Sequence, residues 1–369
     1  MERALARSRD RLQDPRTSRR RIRLMLVDDS TVARAVLSRM IESDPAFEIC
    51  AVAGTAEDAI EALDQVRVDI VILDLEMPGA GGLKSIPRII AAAAGAKVMI
   101  VSSLAEEGAE QTVAALALGA ADTLPKPGAG RFYGRFSEIL LAKLKALGYA
   151  SAPPPEPARP VPGAQPLLRP MPADPIDVLA VGASTGGIHA LGVLFQALPR
   201  RIGVPILVTQ HLPTLFMPVF ARRLGAVAHR ECVVAEDGAI LQADRILVAP
   251  GDAHLTVEPG DRGTVVRLTR GRSLSGCMPS LDPMFASIGA VFGEGALGVV
   301  LTGMGRDGVE GAGRMVACGG AVIAQDEATC AVWGMPRAVL EAGLACAVLP
   351  PEKIARRISG RTEEQATCR

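Results

Sequence analysis

The sequence predicts an α/β protein built from two parallel sheets, each covered by helices on both faces. Two observations support this prediction. Short apolar runs alternate with helical patterns along the chain, and the apolar content is mainly Ala, Val, Leu, Ile and Gly, with only 3% aromatic residues. Strands that are buried on both faces of a parallel sheet have this composition. A proline-rich stretch divides the pattern, so the 369 residues are predicted to form two domains.

The first unit contains five strand–helix pairs. Its predicted strands are residues 22–27, 48–53, 69–73, 97–102 and 122–124. Helical patterns lie between them, for example Ser30 to Ile41 and Ala56 to Leu63, and a last helix around Phe136 to Leu147 closes the unit. Five alternations in so short a segment predict a doubly wound, flavodoxin-like (βα)5 domain.

The boundary between the two units is the proline-rich stretch. Residues 151–175 hold ten prolines in 25 residues, which excludes a regular helix or interior strand and favours an extended linker. Beyond it, strands and helices alternate again to about Gly360, which predicts a second doubly wound parallel domain. The predicted organisation is an arginine-rich tail (1–21), a first domain (22–150), the linker (151–175), a second domain (176–360) and a C-terminal tail (361–369).

Charge and cysteine content limit the function classes. The 40 basic and 40 acidic residues give zero formal net charge, which argues against a protein that coats nucleic acid or an anionic membrane. The seven cysteines form no C-x-x-C pair, as expected for a chain in a reducing compartment. Uncharged stretches at 178–199 and 202–221 are interrupted by Gly, Pro, His and Gln. We therefore expect a cytoplasmic protein without direct membrane insertion.

Polar side chains follow the predicted strands of the first domain at the point where each strand ends. They are Asp28, Asp29, Asp74, Ser102, Ser103 and Lys126. The carboxyl ends of parallel strands meet at one edge, so three carboxylates would repel each other there unless a cation lay between them. Oxygen ligands of this kind suit Mg²⁺. Singly, each aspartate is more simply a turn or helix cap, but together these groups are those that phosphoryl transfer to an aspartate requires.

The motifs LVDDS, DIVILDLEMPG, VSS and KP resemble the receiver domain of two-component response regulators over roughly residues 22–145. The resemblance implies that Asp74 accepts phosphate from a histidine kinase. It also implies that Asp29 binds Mg²⁺ directly, together with Asp74 and the Glu76 carbonyl, and that Asp28 assists through water.

The same resemblance assigns the hydroxyl switch to Ser102 or Ser103 and the contact with the phosphoryl group to Lys126. The sequence departs from the receiver pattern at two places. Gly81 stands where an aspartate is usual, and Pro125 precedes the Lys-Pro pair. Both departures affect loops, and neither removes a reacting group.

In the second domain, the stretch VLAVGASTGG (178–187) has a glycine-rich turn after a strand, which suits either a phosphate-binding loop or a nucleophilic serine. A P-loop needs Gly-Lys-Ser/Thr, but Ile188 follows these glycines. A dinucleotide fingerprint needs an acidic residue about 20 positions on, where the next strand instead ends in Gln-His. Nucleotide binding is therefore disfavoured. GASTG fits G-x-S-x-G, which favours Ser184 as a nucleophile on a strand-to-helix turn.

A base and an acid for this serine follow two other strands. His211 follows a buried strand, as Ser184 does, and Asp307 lies in a glycine-rich loop after a third. The remaining histidines are less well placed: His189, His229 and His254. Of these, His254 is an alternative base. Three such residues at one sheet edge predict a Ser-His-Asp hydrolase, although the chain order differs from that of α/β-hydrolases.

The motifs VGASTGG, QHLP, VAPGDAHL, LTGMGRDG and AQDEATCAVWGMP are similar to the catalytic domain of the chemotaxis protein-glutamate methylesterase family (CheB), over about residues 176–357. The resemblance implies a triad of Ser184, His211 and Asp307, with the Met304 amide as an oxyanion donor. The implied substrate is a glutamate methyl ester on chemoreceptors, and many members also deamidate receptor glutamines. It implies no cofactor in this domain.

The resemblance also implies that the unphosphorylated receiver packs over the catalytic cleft until Asp74 is phosphorylated. Three other functions would be consistent with a receiver domain. A nucleic-acid-binding output would need a basic recognition helix, which the second domain lacks. A non-catalytic scaffold would be expected to lose a triad residue. A different ester hydrolase under receiver control stays open as the second hypothesis.

Overall fold

The computed structural model describes residues 20–78, 81–102, 106–126, 133–150, 168–172 and 175–362. The first 19 residues, the last seven, most of the predicted linker and Ser103 lie outside the described residues.

Five parallel strands form the first sheet. They are β1 (Ile22–Val27), β2 (Phe47–Ala53), β3 (Ile70–Leu73), β4 (Lys97–Ser102) and β5 (Asp122–Pro125). Their order, β2-β1-β3-β4-β5, is that of flavodoxin-like folds. The predicted fold class is confirmed, and each predicted strand agrees with the observed one to within one residue.

Helices cover both faces of this sheet. They are α1 (Thr31–Glu42), α2 (Ala56–Gln65), α3 (Gly82–Ala92), α4 (Glu106–Ala117) and α5 (Tyr133–Ala150). Two begin at side-chain caps: the Ser30 hydroxyl accepts a hydrogen bond from the Ala33 amide at 3.2 Å, and the Thr55 hydroxyl accepts one from Asp58 at 3.1 Å. Helix α5 is three residues longer at each end than the apolar pattern predicts.

Seven parallel strands form the second sheet. They are β6 (Val178–Ala183), β7 (Ile206–Gln210), β8 (Cys232–Val234), β9 (Ile246–Val248), β12 (Ala296–Val300), β13 (Ala321–Gln325) and β14 (Ala345–Leu349). An antiparallel hairpin, β10 (His254–Gly260) with β11 (Gly263–Thr269), departs from the expected strand–helix alternation. The order β14-β13-β12-β6-β7-β9-β8 places β6 between β12 and β7. The loops after these three strands are therefore neighbours.

Six helices flank the second sheet in the described residues. They are α6 (Gly187–Ala197), α7 (Met217–Ala228), α8 (Leu281–Phe292), α9 (Val309–Ala317), α10 (Met335–Glu341) and α11 (Pro351–Ser359). Helix α6 buries Leu191 and Phe195 in one core cluster, and α8 buries Phe285 and Ile288 in another. Within the described ranges, no helix combines the length and the apolar character that a membrane crossing needs.

The two sheet units contact each other through helices. Helix α4 of the first unit packs against α6 and α7 of the second, and one buried apolar cluster contains residues of both units. This contact places the first unit beside the loop that follows β6. The domain boundaries proposed from the sequence stay a prediction.

Candidate active site

The structure brings together the three residues that the sequence proposes as a triad. The Ser184 Oγ lies 3.1 Å from His211 Nδ1, and His211 Nε2 lies 2.9 Å from Asp307 Oδ2. Each follows one of the adjacent strands β6, β7 and β12, so the parallel sheet itself positions all three at its carboxyl edge. The Asp307 carboxylate accepts from Nε2, which leaves Nδ1 of the neutral imidazole as the acceptor facing the serine.

Backbone and side-chain contacts hold the nucleophile turn in place. The Ser184 amide donates to the Thr302 carbonyl at 3.0 Å, and the Gln210 side chain donates to the Ser184 carbonyl at 2.9 Å. Gly186 has φ +77°, and a Cβ there would lie 2.4 Å from the Ala331 side chain. Glycine is therefore required for this turn by its backbone conformation and by space. The sequence reasoning did not single out Gln210 or Thr302 for this role.

Asp307 is buried and accepts hydrogen bonds on both carboxylate oxygens. The hydroxyls of Ser275 and Ser280 donate to Oδ1 at 2.6 and 2.5 Å, and the Leu281 amide joins His211 on Oδ2 at 2.8 Å. Sequence reasoning missed both serines. They lie in the segment between β11 and α8, which has no strand-end pattern to mark it.

Charge pairing perturbs both members of the His–Asp pair. Burial alone would lower the pKa of His211, but hydrogen bonds to Asp307 and Cys277 outweigh it and raise the pKa to about 9. Burial would raise the pKa of Asp307, but the hydrogen bond to His211 outweighs it and lowers the pKa to about 2. The pair is thus arranged to stabilise a positive charge on the imidazole.

The proposed oxyanion donor, Met304, lies one residue beyond Gly303, which packs against Ser184. A Cβ at Gly303 would lie 2.8 Å from the Ser184 Cβ. Within the described residues, no acceptor takes the Met304 amide hydrogen. Its role stays a prediction.

The other histidines do not reach Ser184. The exposed His189 on α6 has its Nδ1 3.4 Å from the Ala117 carbonyl. His229 is the residue that ends α7, with φ +51°. The alternative base, His254, is buried: its Nδ1 accepts from the Ser280 amide at 3.0 Å, and its Nε2 donates to the Gly271 carbonyl at 2.8 Å. It therefore supports Ser280, behind Asp307.

The acidic cluster of the first unit is also assembled. Ligand oxygens of Asp28, Asp29 and Asp74 all lie within 4.8 Å of one another, and Asp28 and Asp74 are buried. The Lys126 ammonium lies 2.7 Å from Asp74 Oδ2 and 3.1 Å from Asp28 Oδ2. Burial raises the pKa of Asp74 despite this lysine. Buried carboxylates that share one lysine carry a net negative charge, so the cluster fits a divalent cation.

The remaining receiver residues are placed as follows. Glu76 is exposed, and its amide donates to Asp74 Oδ1 at 3.2 Å. The Ser102 hydroxyl is buried and lies 2.7 Å from the Thr112 hydroxyl of α4. Ser103, the other proposed switch residue, is outside the described residues. Gly81 has φ +73° at the start of α3, a conformation that aspartate adopts less readily than glycine.

Polar contacts join the first unit to the nucleophile turn. The Gly186 amide donates to the Ala121 carbonyl at 2.6 Å, and the Thr185 hydroxyl donates to Asp122 Oδ2, also at 2.6 Å. Lys143 of α5 pairs with the same carboxylate oxygen at 2.6 Å. The two residues after Ser184 are thus bound by β5 and the residue before it. No motif or periodic pattern in the sequence indicated these particular partners.

A sheet with Ser-His-Asp at its carboxyl edge, joined to a flavodoxin-like unit with an acidic cluster, defines a response regulator whose output domain is of the serine-hydrolase type. Comparison with known proteins identifies the family. Residues 24–131 match the response regulator receiver domain, and residues 179–358 match the CheB methylesterase family.

Two curated relatives of similar length support this assignment. The chain is 38% identical to protein-glutamate methylesterase/protein-glutamine glutaminase 1 of Paramagnetospirillum magneticum, over 90% of this chain and 94% of that protein. It is 41% identical to protein-glutamate methylesterase/protein-glutamine glutaminase 2 of Caulobacter vibrioides, over 94% of this chain and 100% of that protein. The crystal structure of the Thermotoga maritima CheB methylesterase catalytic domain is 34% identical, covering 50% of this chain and 98% of that chain, at TM-score 0.49. The chain belongs to the CheB methylesterase family and carries an N-terminal receiver domain.

Proposed function

We propose that the chain is a receiver-controlled protein-glutamate methylesterase, which hydrolyses methyl esters of glutamate residues on chemoreceptors and also deamidates receptor glutamines. The observation that carries this proposal is the continuous contact from Ser184 through His211 to Asp307, in a chain whose full-length relatives are named for these two activities. A different ester hydrolase under receiver control is the alternative that the experiment below separates.

In the proposed mechanism, Ser184 Oγ attacks the ester carbonyl carbon while His211 Nδ1 takes the serine proton. Asp307 accepts from Nε2–H throughout and stabilises the imidazolium. The tetrahedral intermediate then collapses, the C–O bond to methoxide breaks, and His211 returns the proton so that methanol leaves. Water, deprotonated by His211, cleaves the acyl-serine to give glutamate. For glutamine, ammonia leaves in place of methanol. The free Met304 amide is proposed to donate to the oxyanion.

We propose that Asp74 is the phosphoacceptor and that Asp28, Asp29, Asp74 and the Glu76 carbonyl hold Mg²⁺. The metal, when bound, neutralises negative charge on the phosphoryl oxygens. Lys126, already within 2.7 Å of Asp74, would pair with the phosphorylated carboxylate. The proposed phosphodonor is a histidine kinase. We propose a cytoplasmic location, because reduced cysteines and the proposed phosphoryl transfer from the kinase both belong to that compartment.

We propose that the docked first unit inhibits the second and that phosphorylation releases it. Ala121 and Asp122 bind the two residues that follow the nucleophile. We propose that in this position they obstruct the approach of a receptor helix to Ser184. The Ser102–Thr112 hydroxyl contact links the strand beside the phosphoacceptor to α4, which packs on the second unit. A hydroxyl drawn to the new phosphoryl group would break this link. Phosphorylation would then shift a two-state equilibrium towards the undocked form.

The test is methanol release from methylated chemoreceptor, with and without a small phosphodonor plus Mg²⁺. Release should require Ser184 and should disappear in Ser184→Ala. Stimulation by the phosphodonor should require Asp74 and should disappear in Asp74→Asn, while basal release persists. If a generic activated ester is hydrolysed but receptor is not, the triad proposal stands and the receptor assignment is wrong.

A further inference from the structure

A thiol lies beside the catalytic imidazole and has no part in the proposed reaction. Cys277 is half-buried in the segment between β11 and α8, and its Sγ lies within 4.8 Å of a ring nitrogen of His211. Its backbone is held on both sides, because the Cys277 amide donates to Ser275 Oγ at 3.3 Å and its carbonyl accepts from Ser273 Oγ at 2.9 Å. The backbone that carries the thiol is therefore held in place.

The donor atoms around this thiol match a metal site. Ligand atoms of His211, Cys277 and Asp307 all lie within 4.8 Å of one another. The ligands of a tetrahedral Zn²⁺, bound at about 2.0–2.3 Å, lie roughly 3.3–3.6 Å apart, which is within the 4.8 Å limit that the three ligand atoms meet. Imidazole nitrogen, thiolate sulphur and carboxylate oxygen are the three side-chain ligand types of zinc. Among the described residues, the other such group is the cluster of three receiver aspartates, which offers oxygen alone.

We propose that Zn²⁺ binds His211, Cys277 and Asp307 and thereby inhibits the esterase. The inference rests on the proposed function, because it identifies a regulator of the same triad. Binding releases the thiol proton to solvent, and the thiolate and carboxylate balance the two charges of the metal. A site of zero net charge avoids the cost of an unpaired charge in this partly buried cleft.

Inhibition follows from the single lone pair that the neutral imidazole has available. Neutral imidazole has one nitrogen lone pair, and the other nitrogen carries a hydrogen. When the metal holds that lone pair, the imidazole has no acceptor left for the Ser184 proton. The residue that serves as base is then unavailable, whichever ring nitrogen binds.

The test uses the full-length protein, stripped of metals and supplied with Mg²⁺ to occupy the receiver cluster. Co²⁺ serves as the spectroscopic probe, because a thiolate–cobalt bond gives a charge-transfer absorption that oxygen ligands do not. Wild-type protein should bind one equivalent of Co²⁺ with this absorption, and Zn²⁺ should displace it and abolish methanol release. The inhibition of each variant is expressed as a fraction of the activity of that variant without zinc.

Cys277→Ser and Cys277→Ala are the test variants, and Cys330→Ser, in the segment after β13, is the matched control. The Cys277 variants should lose the absorption and need at least about tenfold more Zn²⁺ for half-inhibition, since even residues behind a metal ligand change affinity about 10–100-fold. The control should behave as wild type.

The outcomes separate this proposal from the proposed function, because the absorption is recorded without substrate. Wild-type protein that gives no thiolate–cobalt absorption overturns the zinc site. So do folded Cys277 variants that are inhibited at the wild-type zinc concentration. A protein that shows the absorption but releases no methanol from receptor retains the zinc site and contradicts the esterase assignment.

Discussion

Breaking the hydrogen bond between Thr185 and Asp122 is expected to raise the activity of the unphosphorylated enzyme. The Thr185 hydroxyl donates to Asp122 Oδ2 across the contact between the two units at 2.6 Å, and both side chains are buried. Lys143 pairs with Asp122 within the first unit, so that ion pair persists after separation. The threonine bond is lost on undocking. The perturbations are Asp122→Ala and Thr185→Val.

The size of the effect follows from the charge on the acceptor. A hydrogen bond to a charged group contributes about 1.5–3 kcal/mol. Because about 1.4 kcal/mol corresponds to a factor of ten, its loss should shift the docking equilibrium about 10- to 150-fold towards the undocked form. Basal activity should rise by this factor until it reaches the activity of the phosphorylated enzyme, which sets the ceiling.

The assay compares methanol release without and with phosphodonor for each variant. The ratio of basal to stimulated activity cancels any effect of Thr185→Val on the chemistry of the adjacent serine. The control is Lys145→Ala, which breaks an ion pair with Asp44 inside the first unit. The ratio should rise in both interface variants and stay at the wild-type value in the control.

A double-mutant cycle distinguishes a direct bond from two separate effects. If Thr185 and Asp122 act through their mutual bond, Thr185→Val should add little once Asp122 is alanine. Fully additive effects would refute a direct interaction. A ratio unchanged by Asp122→Ala would refute the docking argument itself.

Three further predictions concern the catalytic unit. The pKa of His211 is raised to about 9, and His211 must be neutral to act as the base. The value of kcat/KM should therefore rise about tenfold per pH unit up to about pH 9 and then level off. A profile of kcat/KM that is flat from pH 6 to 9 would contradict this prediction. His254→Ala should lower kcat about 2- to 10-fold with KM unchanged, because Ser280, which donates to Asp307, loses the acceptor for its amide. His254→Asn keeps an acceptor for the Ser280 amide and should restore most of the lost kcat. Gly186→Ala should destabilise the protein by about 1–3 kcal/mol in thermal unfolding, whereas Gly192→Ala, in open space on α6, should stabilise it by about 0.5–1 kcal/mol.

The parallel sheets explain why so much of the site was predictable. In such sheets the strand ends are recognisable from apolar runs, and all of them lie at one edge. Ser184, His211 and Asp307 each follow a run of this kind, so their meeting could be predicted although the sequence separates them by up to 123 positions. The same reasoning places Asp74 with the other acidic residues of the first unit.

The contacts that could not be predicted from the sequence come from segments without a periodic apolar pattern. Ser275, Cys277 and Ser280 reach Asp307 or His211 from a segment that follows an antiparallel hairpin, and nothing in the local pattern distinguishes them from other small polar residues. His254 was the alternative base that the sequence left open. Its burial against the Ser280 amide, which no pattern reports, gives it a supporting position instead.

The position of the docking contacts determines which kinetic parameter phosphorylation should change. Thr185 and Gly186, which bind the first unit, follow Ser184 directly. On the proposed mode of inhibition, a receptor helix that reaches the nucleophile displaces Ala121 and Asp122. Docking and substrate then compete for one surface. When only a fraction of the enzyme is competent to bind, the apparent affinity falls by that fraction while the bound complex reacts at its own rate. Phosphorylation should therefore lower KM for receptor and leave kcat nearly unchanged. An increase in kcat at constant KM would instead show that docking distorts the triad rather than blocking access to it.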